Sequence, residues 1–93
     1  MARDEAAKLL GELNDWSLID EGRLLAKSFH FKDFKQTMAF VNQVADIAET
    51  EGHHPDMTVG YGNATIELMT HAIGGLSQND FIVAAKIDQL TDK

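Results

Sequence analysis

Residues 33–52, DFKQTMAFVNQVADIAETEG, contain the clearest periodic pattern in the chain. Its apolar residues recur at alternating steps of four and three, at Phe34, Met38, Val41, Ala45 and Ala48. That spacing places them on one face of an α-helix, and Asp33 followed by Gln36 predicts a capping box at its start. Gly52 is typical of a helix C-terminus. The segment therefore predicts an amphipathic helix of about five turns.

Two β-hairpins flank this helix in the sequence. Before it, residues 16–19 and 24–31 have the composition of strands around a turn at 20–22. After it, residues 57–61 and 65–71 alternate around a turn predicted at Gly62 and Asn63. In the last of these strands the alternation places Ile66, Leu68 and Thr70 on one face.

Helical patterns also occupy both ends of the chain. Residues 4–13 predict a short helix with Asp4 as its cap or in its first turn, and Ser77 with Asp80 predicts a capping box that opens a helix to about Leu90. Because strands joined by tight turns pair antiparallel, the order α-β-β-α-β-β-α predicts an α+β, two-layer fold. We expect one domain over residues 1–93, with a four-stranded antiparallel sheet and helices on one face. The other face or an edge strand is then available for subunit contacts.

Composition narrows the class of protein. The 93 residues carry 15 acidic and 8 basic side chains, with no cysteine. The net charge of −7 and the absence of a Lys/Arg cluster argue against direct nucleic-acid binding and against anionic membranes. Residues 69–78 are too few and too polar to span a bilayer, and the N-terminus lacks the pattern of a secretory signal. We expect a cytoplasmic protein, and a homo-oligomer, dimer or tetramer, since so small a domain buries little surface alone.

Three of the four histidines lie near the second hairpin. His53 and His54 follow the long helix, and Pro55 favours an extended backbone at His54. Consecutive side chains of an extended segment diverge, so the two imidazoles would address different sides of a ligand. His71 is predicted to end the fourth strand. Pairing through the predicted turn would bring residues 69–71 opposite residues 54–56, and His71 close to the other two.

Such a cluster suits proton transfer. Histidine has an unperturbed pKa of about 6.5, so it can both accept and donate a proton near neutral pH. Elimination of water needs an acid at the leaving hydroxyl and a base at a neighbouring atom.

Other interpretations of the same residues remain open. The His-His pair could be a polar surface turn, and His53, His54 and His71 with Asp56 are competent metal ligands, although their spacing matches no standard zinc pattern. A small metal-binding protein or hydrolase is thus an alternative function. The simplest roles of the other polar and aromatic residues are structural: an exposed strand position for His30, a solvated helix end for Glu49, hairpin packing for Met57 and Tyr61, and capping for Asp80.

The spacing of these residues resembles a known signature. Glu49-x-x-x-His53-His54-Pro55, then Tyr61, His71 and Asp80, is similar to the signature of the pterin-4a-carbinolamine dehydratases. Residues 29–34 and 75–80 also resemble that family, and the likeness extends from about Trp16 to the last helix. Two positions depart from it, because Gly52 and Met57 stand where members often carry a polar residue and a tryptophan.

The resemblance implies a specific activity. The family dehydrates 4a-hydroxytetrahydropterins to quinonoid dihydropterins in tetrahydrobiopterin recycling, without a metal or organic cofactor. It implies catalytic roles for His53, His54 and His71. The pterin pocket implied for this chain consists of Gly52, His53, His54, Pro55, Met69, Thr70, His71 and Ala72. Animal relatives also serve as dimerisation cofactors of a homeodomain transcription factor, which implies a possible protein partner.

Overall fold

The computed structural model describes residues 1–91, so the last two residues of the predicted 1–93 domain lie outside the described residues. The helices are α1 (Arg3–Leu10), α2 (Phe34–Glu51) and α3 (Gln78–Gln89), and the strands are β1 (Ser17–Ile19), β2 (Leu24–His30), β3 (Asp56–Val59) and β4 (Asn63–Leu68). A 3-10 turn, His71–Ile73, lies between β4 and α3. The predicted element order is confirmed.

The four strands form one antiparallel sheet in the order β1-β2-β4-β3. Both predicted hairpins are present, and β2 joins them by pairing with β4 from Leu25↔Leu68 to His30↔Asn63. β1 and β3 are therefore the edge strands. The predicted α+β class with a four-stranded antiparallel sheet is confirmed.

The hydrophobic core lies between the sheet and the helices. The strands contribute alternate residues to it. Its buried members include Leu25, Phe29, Ala64, Ile66 and Leu68 from the sheet, and Phe40, Val41, Val44, Phe81, Val83, Ala84 and Ile87 from α2 and α3. Aromatic rings connect the layers, because Phe29 and Phe31 lie 4.6 and 4.9 Å from the ring of Phe40. The alternation seen in the sequence thus gives the inner face of the sheet.

Helix α2 departs from the prediction at its first turn. The Asp33 side chain accepts a hydrogen bond from the Gln36 N–H at 2.8 Å, as predicted, but the Gln36 side chain bonds to Lys32 N–H rather than to Asp33. Phe34, the first residue of the predicted apolar stripe, is 50% exposed. Thr37 is fully buried instead, and its hydroxyl lies 3.0 Å from the carbonyl oxygen of Tyr61. The helix start therefore packs against the β3–β4 loop and leaves Phe34 outside.

The second hairpin turns earlier than predicted. Val59 pairs with Ala64 and Asp56 pairs with Glu67, so the loop is 60–62 and Asn63 already belongs to β4. Both Gly60 and Gly62 permit a turn, and the alternation alone does not choose between them. The observed register places residues 54–56 opposite residues 67–69, whereas the predicted turn placed them opposite residues 69–71.

The predicted end of β4 is wrong for a related reason. The strand ends at Leu68, and the N–H of Thr70 donates to the Gly75 carbonyl at 2.8 Å in an isolated bridge. The chain folds back on itself there, which places His71 in the 3-10 turn.

Helix α1 is shorter than predicted, because it ends at Leu10 with Gly11 as its C-cap. Its N-cap is Ala2, which makes no side-chain bond, and Asp4 lies in the first turn, as the alternative prediction had it.

A buried polar cluster anchors the C-terminal half of α3. The Asp88 carboxylate accepts hydrogen bonds from Trp16 Nε1 at 2.9 Å, from Lys27 Nζ at 2.8 Å and from the Asn14 N–H at 3.2 Å. The Lys27 and Asp88 side chains are 11% and 7% exposed. These hydrogen bonds connect the segment before β1, strand β2 and helix α3.

Candidate active site

His53 lies at the C-terminal end of α2, where the backbone reverses. Gly52 has φ 63° and ψ 31°, in the left-handed region that glycine adopts without a steric penalty from a Cβ. The N–H groups of Gly52 and His53 both donate to the carbonyl oxygen of Ala48. The backbone of His53 is thus tied to the helix end, and its side chain is only 15% exposed.

The His53 imidazole contacts Asp80, the third residue of α3. His53 Nε2 lies 2.5 Å from Asp80 Oδ1, and the Asp80 side chain is fully buried. The other carboxylate oxygen, Oδ2, accepts hydrogen bonds at 2.9 Å from the Ser77 N–H and from the Thr70 hydroxyl. The carboxylate is therefore fully hydrogen-bonded, as its burial requires.

Asp80 consequently has two roles in the structure. Its predicted capping role is confirmed, because Ser77 is the N-cap of α3 and donates its N–H to Asp80. Its contact with His53, 27 residues earlier, is not predicted by periodicity or capping. The sequence signal for that contact is the place of Asp80 as the last member of the signature.

His54 points away from this cluster. Its Nε2 lies 2.5 Å from Glu49 Oε2, and the two side chains are 62% and 76% exposed. The predicted divergence of consecutive histidines is confirmed, since His53 faces a buried carboxylate and His54 an exposed one. An exposed pair of this kind contributes at most about 1 kcal/mol, so Glu49 orients His54 only weakly.

His71 is exposed at the start of the 3-10 turn. Thr70, directly before it, donates to the same carboxylate that contacts His53. The two chain segments that carry His53 and His71 are therefore joined through Asp80. The Thr70 hydroxyl is also 2.7 Å from Ser77 Oγ, which gives its side chain a structural role.

The other residues expected around a ligand differ in exposure. Pro55 and Met69 are half-buried, whereas Gly52 and Ala72 are exposed. Tyr61 is 70% exposed in the β3–β4 loop, so the predicted hairpin packing of its ring is wrong; its backbone carbonyl makes the contact with α2 instead. His30 is exposed on β2, in agreement with its predicted strand role.

Three further observations bear on function. Among residues 1–91, no group of three or more His, Asp or Glu side chains is arranged to hold a metal ion. An apolar groove of about 450 Å³ lies between α1 and α3, lined by Leu9, Glu12, Leu13, Gln78, Phe81, Ile82 and Ala85, and includes none of the three histidines. No helix in the described part of the chain has the length and hydrophobicity to cross a membrane.

The family model for pterin 4 alpha carbinolamine dehydratase matches residues 1–90. The chain belongs to this family. Curated relatives of this chain carry the provisional name pterin-4-alpha-carbinolamine dehydratase, among them the following two. The protein from Nitrosospira multiformis is 52% identical over 90 residues, which are 97% of this chain and 78% of the relative. The protein from Nitrosomonas europaea is 54% identical over 88 residues, which are 94% of this chain and 76% of the relative.

Solved structures agree with this assignment of the fold. A transcriptional coactivator/pterin dehydratase from Brucella melitensis superposes with a TM-score of 0.92 at 30% identity, covering 97% of this chain and 96% of the other. A pterin dehydratase-like protein identified as a RuBisCO assembly factor in the alpha-carboxysome superposes with a TM-score of 0.73 at 26% identity, covering 86% and 93% of the two chains. Proteins of this fold therefore include ones described by an interaction as well as by catalysis.

Proposed function

We propose that this chain is a 4a-hydroxytetrahydropterin dehydratase in which His53, His54 and His71 transfer the protons. The observation that carries the proposal is the junction at Asp80. It holds a largely buried imidazole, His53, beside the segment that leads into His71, in a chain that belongs to the dehydratase family.

The reaction requires what imidazoles can supply. An acid protonates the hydroxyl on C4a, the C4a–O bond breaks and water leaves, while a base removes the proton from N5 and a C4a=N5 double bond forms. The product is the quinonoid dihydropterin, and the step is redox-neutral. General acid–base catalysis by positioned histidines accounts for rate gains of about 10²–10⁴-fold. The different surroundings of His53 and His54 support their having different tasks in this exchange.

The pathway is part of the proposal. A hydroxylase that uses a tetrahydropterin would supply the 4a-hydroxy compound, and a reductase would consume the quinonoid product, so the chain would serve tetrahydrobiopterin recycling in the cytoplasm. Gly52, Pro55, Met69, Thr70 and Ala72 would line the pterin, with backbone amides and carbonyls matching its amide-like edge.

The test is a dehydration assay on the purified protein in the presence of a chelator. We expect the wild-type protein to accelerate the loss of water from 4a-hydroxytetrahydropterin. His54→Ala and His71→Ala should each lower kcat by about 10²-fold or more, since each removes a proton-transfer group. His30→Ala is the matched control, because it removes an exposed imidazole from the face of β2 opposite the core residues Leu25 and Phe29. It should leave kcat unchanged.

Three results would contradict the proposal. Wild-type-like kcat in both His54→Ala and His71→Ala would exclude the acid–base assignment. Loss of turnover on addition of chelator, with stoichiometric zinc in the purified protein, would favour a metal site instead. If the wild-type protein does not accelerate the dehydration, a protein-interaction role would remain as the function of the chain.

A protein-interaction role is the second candidate, because the names of the two solved structures described above include a transcriptional coactivator and an assembly factor. Large apolar side chains on the surface of residues 1–91 support it, notably Phe34 at 50% and Ile73 at 60% exposure. We propose that this chain associates with itself, as a dimer or tetramer, or with a protein partner. Light scattering on a size-exclusion column at several concentrations tests self-association. A monomer at all concentrations would exclude it.

A further inference from the structure

The hydrogen bonds around Asp80 constrain which nitrogen of His53 carries a hydrogen. The Ser77 backbone N–H can only donate, and it donates to Oδ2. The Thr70 hydroxyl donates its single hydrogen to the same oxygen, so the contact between Thr70 Oγ1 and Ser77 Oγ takes the Ser77 hydrogen. Oδ1 then has one partner, Nε2 of His53. An ionised carboxylate only accepts, so a hydrogen on Nε2 is the arrangement that satisfies both atoms of this contact.

We propose that Asp80 and Thr70 are positioning residues that hold His53 in its Nε2–H form and thereby make Nδ1 the atom that takes the proton from the substrate. This inference rests on the proposed function. In neutral His53 the hydrogen on Nε2 leaves a lone pair on Nδ1. Within residues 1–91 the His53 side chain is hydrogen-bonded through Nε2 to Asp80, and Nδ1 has no protein partner.

The cluster around Asp80 is buried, which restricts the movement of its members. Asp80 has no exposed side-chain surface, and its carboxylate contacts the Ser77 N–H, the Thr70 hydroxyl and Nε2 of His53. A buried carboxylate with rigid donors cannot rotate to release His53 without leaving other groups unpaired. The Gly52 turn fixes the His53 backbone from the other side. The backbone of His53 and its Nε2 atom are thus both held, in contrast to His54 and its exposed partner.

The chemistry follows from that geometry. Nδ1 of neutral His53 takes the proton from N5 of the pterin, and the C4a–O bond breaks as the C4a=N5 bond forms. The departing hydroxyl receives a proton from His54 or His71, which solvent can reprotonate because both are exposed. His53 becomes an imidazolium whose Nε2–H faces the Asp80 carboxylate, which stabilises the charge as in other histidine–carboxylate pairs.

Asp80→Asn tests the assignment sharply. The Ser77 N–H and the Thr70 hydroxyl need an acceptor, so the single carbonyl oxygen of the new amide will turn toward them. Its NH₂ then faces His53 Nε2 and forces that nitrogen to accept, which moves the hydrogen to Nδ1. The substitution therefore removes the base without removing the imidazole. We expect kcat to fall about 10²–10⁴-fold, with KM changed less than about threefold.

The second readout is the tautomer itself. Nitrogen-15 NMR of the His53 ring should show Nε2–H in the wild-type protein and Nδ1–H in Asp80→Asn. Asp88→Asn is the matched control, since it changes another buried, hydrogen-bonded carboxylate of the same helix that does not contact His53. After correction for the folded fraction, Asp88→Asn should retain kcat within about threefold and keep the Nε2–H tautomer.

Thr70 is tested by Thr70→Val and Thr70→Ser. Loss of one hydrogen bond to the carboxylate should lower kcat about tenfold in Thr70→Val, and Thr70→Ser should restore it. These variants also keep the inference testable where Asp80→Asn does not fold.

Three outcomes would overturn the assignment: an Nδ1–H tautomer in wild-type His53, an unchanged tautomer in Asp80→Asn, or wild-type kcat in that variant. The NMR measurement needs no turnover, so failure of the proposed function, seen as absence of wild-type dehydration, is distinguishable from failure of this inference.

Discussion

The buried ion pair between Lys27 and Asp88 gives a sharp test of how the fold is held together. The substitution Lys27→Met removes the ammonium group and keeps the length of the side chain. It leaves the Asp88 carboxylate in a site where the paired side chains are 11% and 7% exposed. Water cannot easily replace the lost partner there, so the carboxylate loses its strongest donor.

The magnitude follows from the contacts that remain. Removing one partner of a buried ion pair destabilises a protein by about 3–5 kcal/mol. Trp16 Nε1 and the Asn14 N–H still donate to Asp88, which moves the expectation to the lower end of that range. We expect the free energy of unfolding to fall by about 3 kcal/mol. For a domain of this size that is a decrease in Tm on the order of 15 °C.

Thermal and urea unfolding followed by circular dichroism measure this change. The double variant Lys27→Met/Asp88→Asn is the control, because an amide at position 88 can accept from Trp16 and no longer needs a cation. It should be more stable than the sum of the two single variants predicts, by about 1–2 kcal/mol. A loss below about 0.5 kcal/mol in Lys27→Met, or additive behaviour of the pair, would refute this account of the cluster.

Three other substitutions test local features. In a urea titration, Gly52→Ala should lower the free energy of unfolding by about 1 kcal/mol, because its φ of 63° disfavours a Cβ. Gly75→Ala is the control: it has open space around its Cβ position and no positive φ, so it should change the free energy of unfolding by less than about 0.5 kcal/mol. Gly62→Ala should destabilise by about 1–3 kcal/mol, since its Cβ would lie 2.8 Å from the carbonyl oxygen of Phe31; an unchanged Tm would contradict the close approach. Glu49→Gln should change stability by less than about 1 kcal/mol, as expected for a 76% exposed partner of His54, and a larger loss would show that the pair is better ordered than its exposure implies.

Local patterns explain why the element order was predictable. Each helix and strand is recognisable within a short window of sequence. Its apolar residues recur with a period of 3.6 or 2, and capping or turn residues mark its ends. The 33–52 helix, the two hairpins and the capped C-terminal helix follow from such windows. The pairing of β2 with β4 has no local signal, and it follows only from the need to bury both inner faces.

The predictions are wrong where two local signals in the sequence compete. Gly60 and Gly62 both permit the second turn, and the structure places it at 60–62, which changes the register by moving Asn63 into β4. Phe34 fits the helical stripe, but the core ends at Thr37 because the β3–β4 loop packs against the helix start. At the helix start a tertiary contact decides between options that the sequence leaves equal.

The candidate site was predictable in its histidines but not in their support. His53 and His54 are conspicuous because they are adjacent and follow a helix, and His71 because it follows a strand. Asp80 satisfies a capping motif completely, so nothing local requires a second role for it. Its contact with His53 depends on how α3 packs beside the end of α2, which no short window of sequence encodes.

The central pairing of β2 with β4 has a consequence for the order in which this chain folds. Ser28 and Thr65, which are partners in that ladder, are 37 residues apart, and the whole of α2 lies between them. Closing so long a loop is entropically unfavourable until α2 packs against the sheet and its contacts offset the lost entropy. We therefore expect the backbone amides of β2 and β4 to exchange with solvent only through global unfolding. Neither hairpin alone can bury its inner face, so each half of the chain would remain an unfinished sheet until it met the other.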